Sequence, residues 1–116
     1  MKVLVTGAGG FIGSHLCEKF LDEGFKVNAL VRYNSRQSKG WLENISKKNL
    51  NIIYGDVTDF DSVSSAIEGC DYVFNLPTSI SVTYPFKNPQ KFIDIDVLGA
   101  LNVFRAFSVN VITLRL

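Results

Sequence analysis

The chain is poor in the residues that would give it a covalent or metal-held scaffold. Cysteine occurs twice, at Cys17 and Cys70, and histidine once, at His15. Two cysteines this far apart, with no CxxC pair, provide neither a disulfide framework nor a zinc site. Both are expected to pack as small apolar side chains, Cys17 in a helix and Cys70 near the start of a strand, in a reducing, cytoplasmic setting. Excess charge is lacking too. Twelve Lys and Arg against eleven Asp and Glu leave a net charge of +1. That field is too weak to attract nucleic acid or an anionic membrane, so neither is expected as a partner. No apolar run approaches the roughly 20 residues that a membrane-spanning helix needs. Glycines interrupt the apolar start Met1-Lys2-Val3-Leu4-Val5 too early for a signal peptide, and none is expected. Repeats, low-complexity tracts and linkers are absent.

What is present is an ordinary globular composition. The 116 residues are 47% hydrophobic and 20% charged, enough for one domain with a core of its own. Short β-branched runs alternate with helical periodicity. Strands are expected at Lys2 to Thr6, Lys26 to Val31, Asn51 to Tyr54 and Tyr72 to Asn75, with a fifth at Val109 to Leu114. Between them, Phe11 to Glu23 reads as a helix with Ile12, Leu16 and Phe20 inward and Gly24 as its stop. Ser38 to Lys48 reads as a helix burying Trp41, Leu42 and Ile45. A third, capped by Thr58 and followed by Gly69, buries Phe60, Val63 and Ile67. After a loop from Leu76 to Lys87, Asn88-Pro89 opens a long helix to about Phe107. Strands apolar on both faces, separated by helices, predict an α/β fold: a doubly wound parallel sheet with early strand order 3-2-1-4.

The informative stretch is Thr6-Gly7-Ala8-Gly9-Gly10-Phe11-Ile12-Gly13, which lies between the first strand and the first helix. Each glycine has a separate physical role there. Gly7 permits the sharp turn out of the strand, Gly10 lets a pyrophosphate approach the backbone, and Gly13 lets the helix pack closely on the sheet. The helix N-terminus then supplies N–H groups and a positive dipole end to the phosphates. This is the context that a Rossmann-type dinucleotide site requires. An ATPase phosphate loop is disfavoured, because Gly13-Ser14-His15 lacks the lysine. His15 is expected to be a packing or surface residue rather than a base.

Specificity signals follow at the next strand ends. A Rossmann site for NAD usually places Asp or Glu at the end of the second strand to hold the ribose 2′-hydroxyl. Here Val31 is followed by Arg32, which suits a 2′-phosphate and leans towards NADP; a solvated loop arginine or one stacked on adenine are the alternatives. In Gly55-Asp56-Val57, the Asp56 carboxylate either accepts from an adenine amino group or caps the following turn.

These residues, with Asp71-Tyr72-Val73-Phe74-Asn75-Leu76 and Asp96-Val97-Leu98-Gly99-Ala100-Leu101-Asn102-Val103, resemble the extended short-chain dehydrogenase/reductase family. The closest branch is its NAD-dependent sugar-nucleotide epimerases and dehydratases, and the likeness runs to about Ala106. Tyr33-Asn34-Ser35, Gly40-Trp41-Leu42, Ile80 and Tyr84 look like UDP-N-acetylglucosamine 4,6-dehydratases of nonulosonic-acid pathways. Arg32 resembles the corresponding arginine of NADP-using GDP-mannose 4,6-dehydratases. The resemblance implies that Gly7, Gly10, Phe11, Ile12 and Gly13 hold the pyrophosphate of NAD or NADP. Arg32 would face the adenosine ribose, Asp56 and Val57 the adenine, and Leu76, Pro77 and Thr78 the rest of the cofactor. Ile80 and Tyr84 would approach a nucleotide-sugar substrate. It also implies a possible homodimer through the apolar helix 89–107.

Departures from the family pattern accompany the likeness. Pro77-Thr78 stands where two alanines are usual, Asn75 where histidine is common, and Asp96 where an asparagine helps hold the cofactor region. The family's chemistry needs a Tyr-x-x-x-Lys pair, and none occurs here; Tyr84-Pro85-Phe86-Lys87 is one residue short. The chain is therefore expected to be the N-terminal, cofactor-binding part of a sugar-nucleotide 4,6-dehydratase or epimerase, truncated after about the fifth strand and inactive alone. In the parent reaction, NAD(P)+ would oxidise the sugar C4 hydroxyl. Loss of water across C5–C6 and hydride return would follow in a dehydratase, and reduction of the C4 ketone in an epimerase. A non-enzymatic dinucleotide sensor and an NADP-dependent ketone or aldehyde reductase remain as alternatives.

Overall fold

The computed structural model describes residues 1–32, 48–76, 90 and 94–110. Four strands form one parallel sheet: β1 (Lys2–Thr6), β2 (Lys26–Val31), β3 (Leu50–Tyr54) and β4 (Tyr72–Asn75). Their spatial order is β3-β2-β1-β4, as expected from the sequence. Val5 lies beside Ala29 on one side and Phe74 on the other, and Leu30 lies beside Ile53. All four strands therefore run out at the same edge, at Thr6, Val31, Tyr54 and Asn75.

Helices cover both faces. On one, α1 (Phe11–Asp22) packs over Val3, Val5, Val27, Ala29 and Val31 through Cys17, with Leu16, Phe20 and Leu21 alongside. On the other, α2 (Phe60–Ile67) and α3 (Gly99–Asn110) cover Leu4 and Leu30 with Val63, Ala66, Ile67, Val103, Ala106 and Phe107. Each buried Val, Leu or Ile contributes about 2 kcal/mol of transfer free energy. Alternation along β1 explains the two layers, because Val3 and Val5 face α1 while Leu4 faces α2 and α3. A polar side chain ties this second layer together. Asn28, buried on β2, donates to the Ala66 carbonyl at 2.8 Å and so ties α2 to the sheet.

Local signals explain the helix ends. Gly24, at φ 88°, closes α1: its N–H donates to the Leu21 carbonyl and that of Phe25 to the Phe20 carbonyl, both near 3 Å. This satisfies carbonyls that the last turn would leave open. Both cysteines are buried and unbridged, Cys17 in α1 and Cys70 just before β4. Burial raises the Cys17 thiol from 9.0 to about 12 and that of Cys70 to about 11.

Several sequence expectations are corrected. Ile12 was assigned to the buried face of α1 but is 71% exposed. The helix meets the sheet through Gly13 and Cys17, and that line of contact turns Ile12 about 100° away from it. The N-cap of α2 is Asp59, not Thr58: the Asp59 side chain accepts the Asp61 N–H. The long C-terminal helix is not uniform. A π-helical segment, Asp94–Leu98, precedes α3. The α-helix then continues past Phe107 to Asn110, so Val109 and Asn110 are helical rather than the start of a fifth strand. Val103, Ala106 and Phe107 packed on α2 hold that last turn. The remaining fifth-strand residues, 111–114, and the expected helix at 38–47 lie outside the described residues, and Lys48 is in a turn. Among the described residues no helix is long and apolar enough to cross a membrane.

Candidate functional site

Four parallel strands that end at one edge bring the following loops together. Gly7 leaves β1 with φ 64°, a conformation that side-chain-bearing residues rarely adopt. The chain is then tied to its neighbour, since Ala8 N–H donates to the Leu30 carbonyl at 3.3 Å. Gly10 is the N-cap of α1 in extended conformation. Gly13 sits directly above the turn: a Cβ there would come within the contact distance of the Gly7 carbonyl and lie 2.9 Å from Ala8 Cα.

The two helix-start glycines differ in what surrounds them. Gly13 cannot carry a side chain because the protein's own backbone occupies the space. Gly10 can, as far as the protein is concerned, because the nearest atom to a built Cβ is the Gly7 carbonyl oxygen at an ordinary 3.5 Å. The bare surface at Gly10 faces outward. No side chain caps α1, and no acidic residue lies in its first turn. The positive end of this helix thus has no local anion to offset it. Phe11 and Ile12 are exposed on that turn, and His15 rests on the Phe11 ring, its Nδ1 2.7 Å from the Phe11 carbonyl. His15 is a surface residue, as expected. A cradle that a Cβ would fill, beside an uncapped helix start, has the form that a diphosphate requires.

The other loops join this one. Arg32 follows β2 directly and is exposed. Gly55, after β3, donates its N–H to the Val31 carbonyl at 3.0 Å, which holds the third loop beside Arg32. Asp56 Oδ1 accepts the Thr58 N–H at 3.0 Å. The turn-capping alternative is therefore present, and the second carboxylate oxygen has no partner among the described residues. The Val57 side chain is buried in the α2/α3 layer. Leu76, after β4, is partly buried against the α1 layer. Gly7, Gly10, Arg32, Asp56, Val57 and Leu76 thus lie on loops, and Phe11, Ile12 and Gly13 on the first turn of α1, at one edge of the sheet. Pro77, Thr78, Ile80 and Tyr84 lie outside the described residues.

Two residues matter here that the sequence reading gave no role. Thr6 is fully buried; its hydroxyl donates to Asn75 Oδ1 at 2.6 Å and accepts the Leu76 N–H at 3.0 Å. It clamps the end of β4 to the end of β1, next to the glycine turn. Asn102, on α3, is also buried, and its Nδ2 donates to the Val57 carbonyl at 2.9 Å. The available signal was the same in both cases: a polar side chain among apolar neighbours needs a partner.

Comparison with known proteins adds to this geometry. A family model described as GDP-mannose 4,6 dehydratase matches residues 4–113. Among curated proteins, cinnamoyl-CoA reductase 1 of Petunia hybrida is 34% identical over 106 residues, covering 90% of this chain and 30% of that protein. UDP-glucose 4-epimerase of Thermotoga maritima, solved with UDP-glucose, superposes with a TM-score of 0.83 at 26% identity, over 96% of this chain and 35% of the other. The Thermus thermophilus UDP-glucose 4-epimerase, solved with NAD, superposes with a TM-score of 0.78 at 30% identity, over 95% of this chain and 34% of the other. The chain spans about a third of the length of the proteins it matches.

Proposed function

Because the chain belongs to the GDP-mannose 4,6-dehydratase family, among the NAD-dependent epimerases and dehydratases of the short-chain dehydrogenase/reductase superfamily, we propose that it is the dinucleotide-binding part of a nucleotide-sugar dehydratase or epimerase. The observation that carries this reading is the contrast at the helix start: Gly13 is closed by backbone, while Gly10 is open and faces an uncapped helix end. The pyrophosphate lies against Gly7, Gly10 and the first turn of α1 at Phe11, Ile12 and Gly13. Asp56 offers an acceptor to the adenine amino group, and the Val57 main chain lies beside it. Leu76, with Pro77 and Thr78, lines the path towards the nicotinamide, and Ile80 and Tyr84 approach the nucleotide sugar.

When bound, the dinucleotide supplies a hydride acceptor and donor at its nicotinamide ring. This chain's residues bind and orient it; the absence of a Tyr-x-x-x-Lys pair from the sequence leaves it without the family's proton-transfer couple. Arg32 stands where an acidic residue would favour the 2′-hydroxyl, so NADP is preferred over NAD. Calorimetry of the purified chain tests both parts. Saturable binding of either dinucleotide is expected, with NADP the tighter, and Arg32→Asp should reverse that order. Absence of binding to both would remove the proposal; an unchanged order in Arg32→Asp would remove Arg32 from the site.

A second reading, a ketone or aldehyde reductase that uses NADP, is favoured by the 34% identity to cinnamoyl-CoA reductase 1. Turnover of UDP- or GDP-sugars by a full-length protein carrying this segment would argue against it. The exposed side of the C-terminal helical region, at Val97, Leu101 and Phe104, fits a homodimer contact in that longer protein.

A further inference from the structure

The loop after β3 is held from behind by a helix that lies more than 40 residues further along the chain. Two separate contacts do this. Asn102, buried on α3, donates its side-chain amide to the Val57 carbonyl at 2.9 Å. One turn earlier, Gly99 brings the α3 backbone so close that a Cβ there would lie 2.7 Å from Val57 Cγ2 and 3.1 Å from Val57 Cβ. The Val57 carbonyl and side chain are therefore both committed to the interior. What Val57 and Asp56 retain on the outer side is an N–H and a carboxylate oxygen with no partner among the described residues. A donor and an acceptor on adjacent residues match the acceptor and donor on the edge of an adenine ring. The carbonyl and the side chain together fix Val57 about its Cα. With the carbonyl released, only the side chain would hold the residue, its backbone could turn about φ, and its N–H would no longer be fixed beside the Asp56 carboxylate.

We propose that Asn102, acting through the Val57 carbonyl, is a positioning residue for adenine recognition, and that Gly99 permits the close approach on which this depends. The inference rests on the reading of this edge as a dinucleotide site. It makes α3 part of the cofactor's selectivity although it touches no cofactor, and it explains why a helix with a largely apolar inner face carries a buried amide at one position.

The test compares NAD with its hypoxanthine analogue, in which the adenine amino group is replaced by a carbonyl oxygen. Both are titrated calorimetrically into the parent chain and into Asn102→Leu, with thermal unfolding and circular dichroism recorded alongside. The parent should prefer NAD by about tenfold, the order that the net worth of one hydrogen bond gives. In Asn102→Leu the preference should fall towards one, with most of the loss on NAD. A purely structural role would weaken both ligands alike and leave the ratio intact, and that result overturns the inference. Gly99→Ala, which pushes on the Val57 side chain rather than its carbonyl, should also lose the preference, and it serves as the test if Asn102→Leu does not fold. A parent chain that binds neither ligand removes the dinucleotide reading itself. A parent that binds NAD, with the ratio kept in the variants, removes only the role of Asn102. Equal binding of the two ligands by the parent removes the adenine contact and this inference with it.

Discussion

The two ends of the sheet are built on opposite principles. At the amino edge, polar groups close on one another. Lys2 N–H donates to Asp71 Oδ2 at 3.0 Å, Asp71 N–H to the Lys2 carbonyl at 2.7 Å, and Lys26 N–H to the Met1 carbonyl at 3.0 Å. At the carboxyl edge, the chain withholds side chains instead. Gly7 turns without one, Gly10 leaves its backbone bare, and α1 starts with no capping side chain and no carboxylate. An edge that satisfies its own polar groups contributes stability. An edge that leaves donors uncapped forgoes some of it and can accept an anion. The two ends of the same four strands thus differ in how many polar groups they leave open.

Substitutions at each end should act on one property and spare the other. The largest effect is expected at Gly13, which is at the binding edge but serves the fold. A methyl group there meets the Gly7 carbonyl and Ala8 backbone, so Gly13→Ala should lower stability by about 3 kcal/mol in urea unfolding. Gly10→Val should do the reverse. Its stability should stay within about 1 kcal/mol of the parent, while calorimetry shows dinucleotide binding abolished. Retained affinity would mean that the pyrophosphate lies elsewhere. At the other edge, Asp71→Ala removes the acceptor for Lys2 N–H and should cost about 1 kcal/mol of stability, with affinity for the dinucleotide unchanged.

The smallest effect near neutral pH concerns the interior that both edges share. The folded thiols are raised from 9.0 to about 12 at Cys17 and about 11 at Cys70. Well below pH 9 both thiols stay protonated, folded or unfolded, and stability should not depend on them. Above pH 9 the unfolded chain releases those protons first, so stability should fall as pH rises through about 11 and 12. At pH 8 the Cys70 thiolate is about 100-fold scarcer in the folded chain than in the denatured one. Alkylation by iodoacetamide should therefore be correspondingly slow until urea is added.

How much of this was legible in the sequence varies with the kind of residue. The glycine turn was readable because Gly7 and Gly13 answer backbone requirements that a side chain would break, at the spacing of a dinucleotide loop, and strand alternation with helices implies the sheet order. Ile12 was misread because periodicity reports a helical face but not how the helix is rolled on the sheet. That roll is set by Gly13 against Gly7, a contact that needs both elements in place. Asp59 displaced Thr58 as the cap because both are capping residues at adjacent positions, and only the path of the chain out of β3 chooses between them. Asn102 carried the weakest signal, since a single polar residue in an apolar helix shows that a partner is needed but not which one.

By itself, the sequence specified local matters: where the backbone turns without side chains, which segments are apolar on both faces, and which charges are absent. These depend on residues close together in the chain, where steric and hydrogen-bonding preferences act directly. The tertiary structure decided which loops meet. Thr6 clasps Asn75 and Leu76, and Asn102 braces Val57, across 69, 70 and 45 positions of chain. Contacts of that length depend on the assembled sheet and its helices, because only packing brings such distant groups within reach of one hydrogen bond.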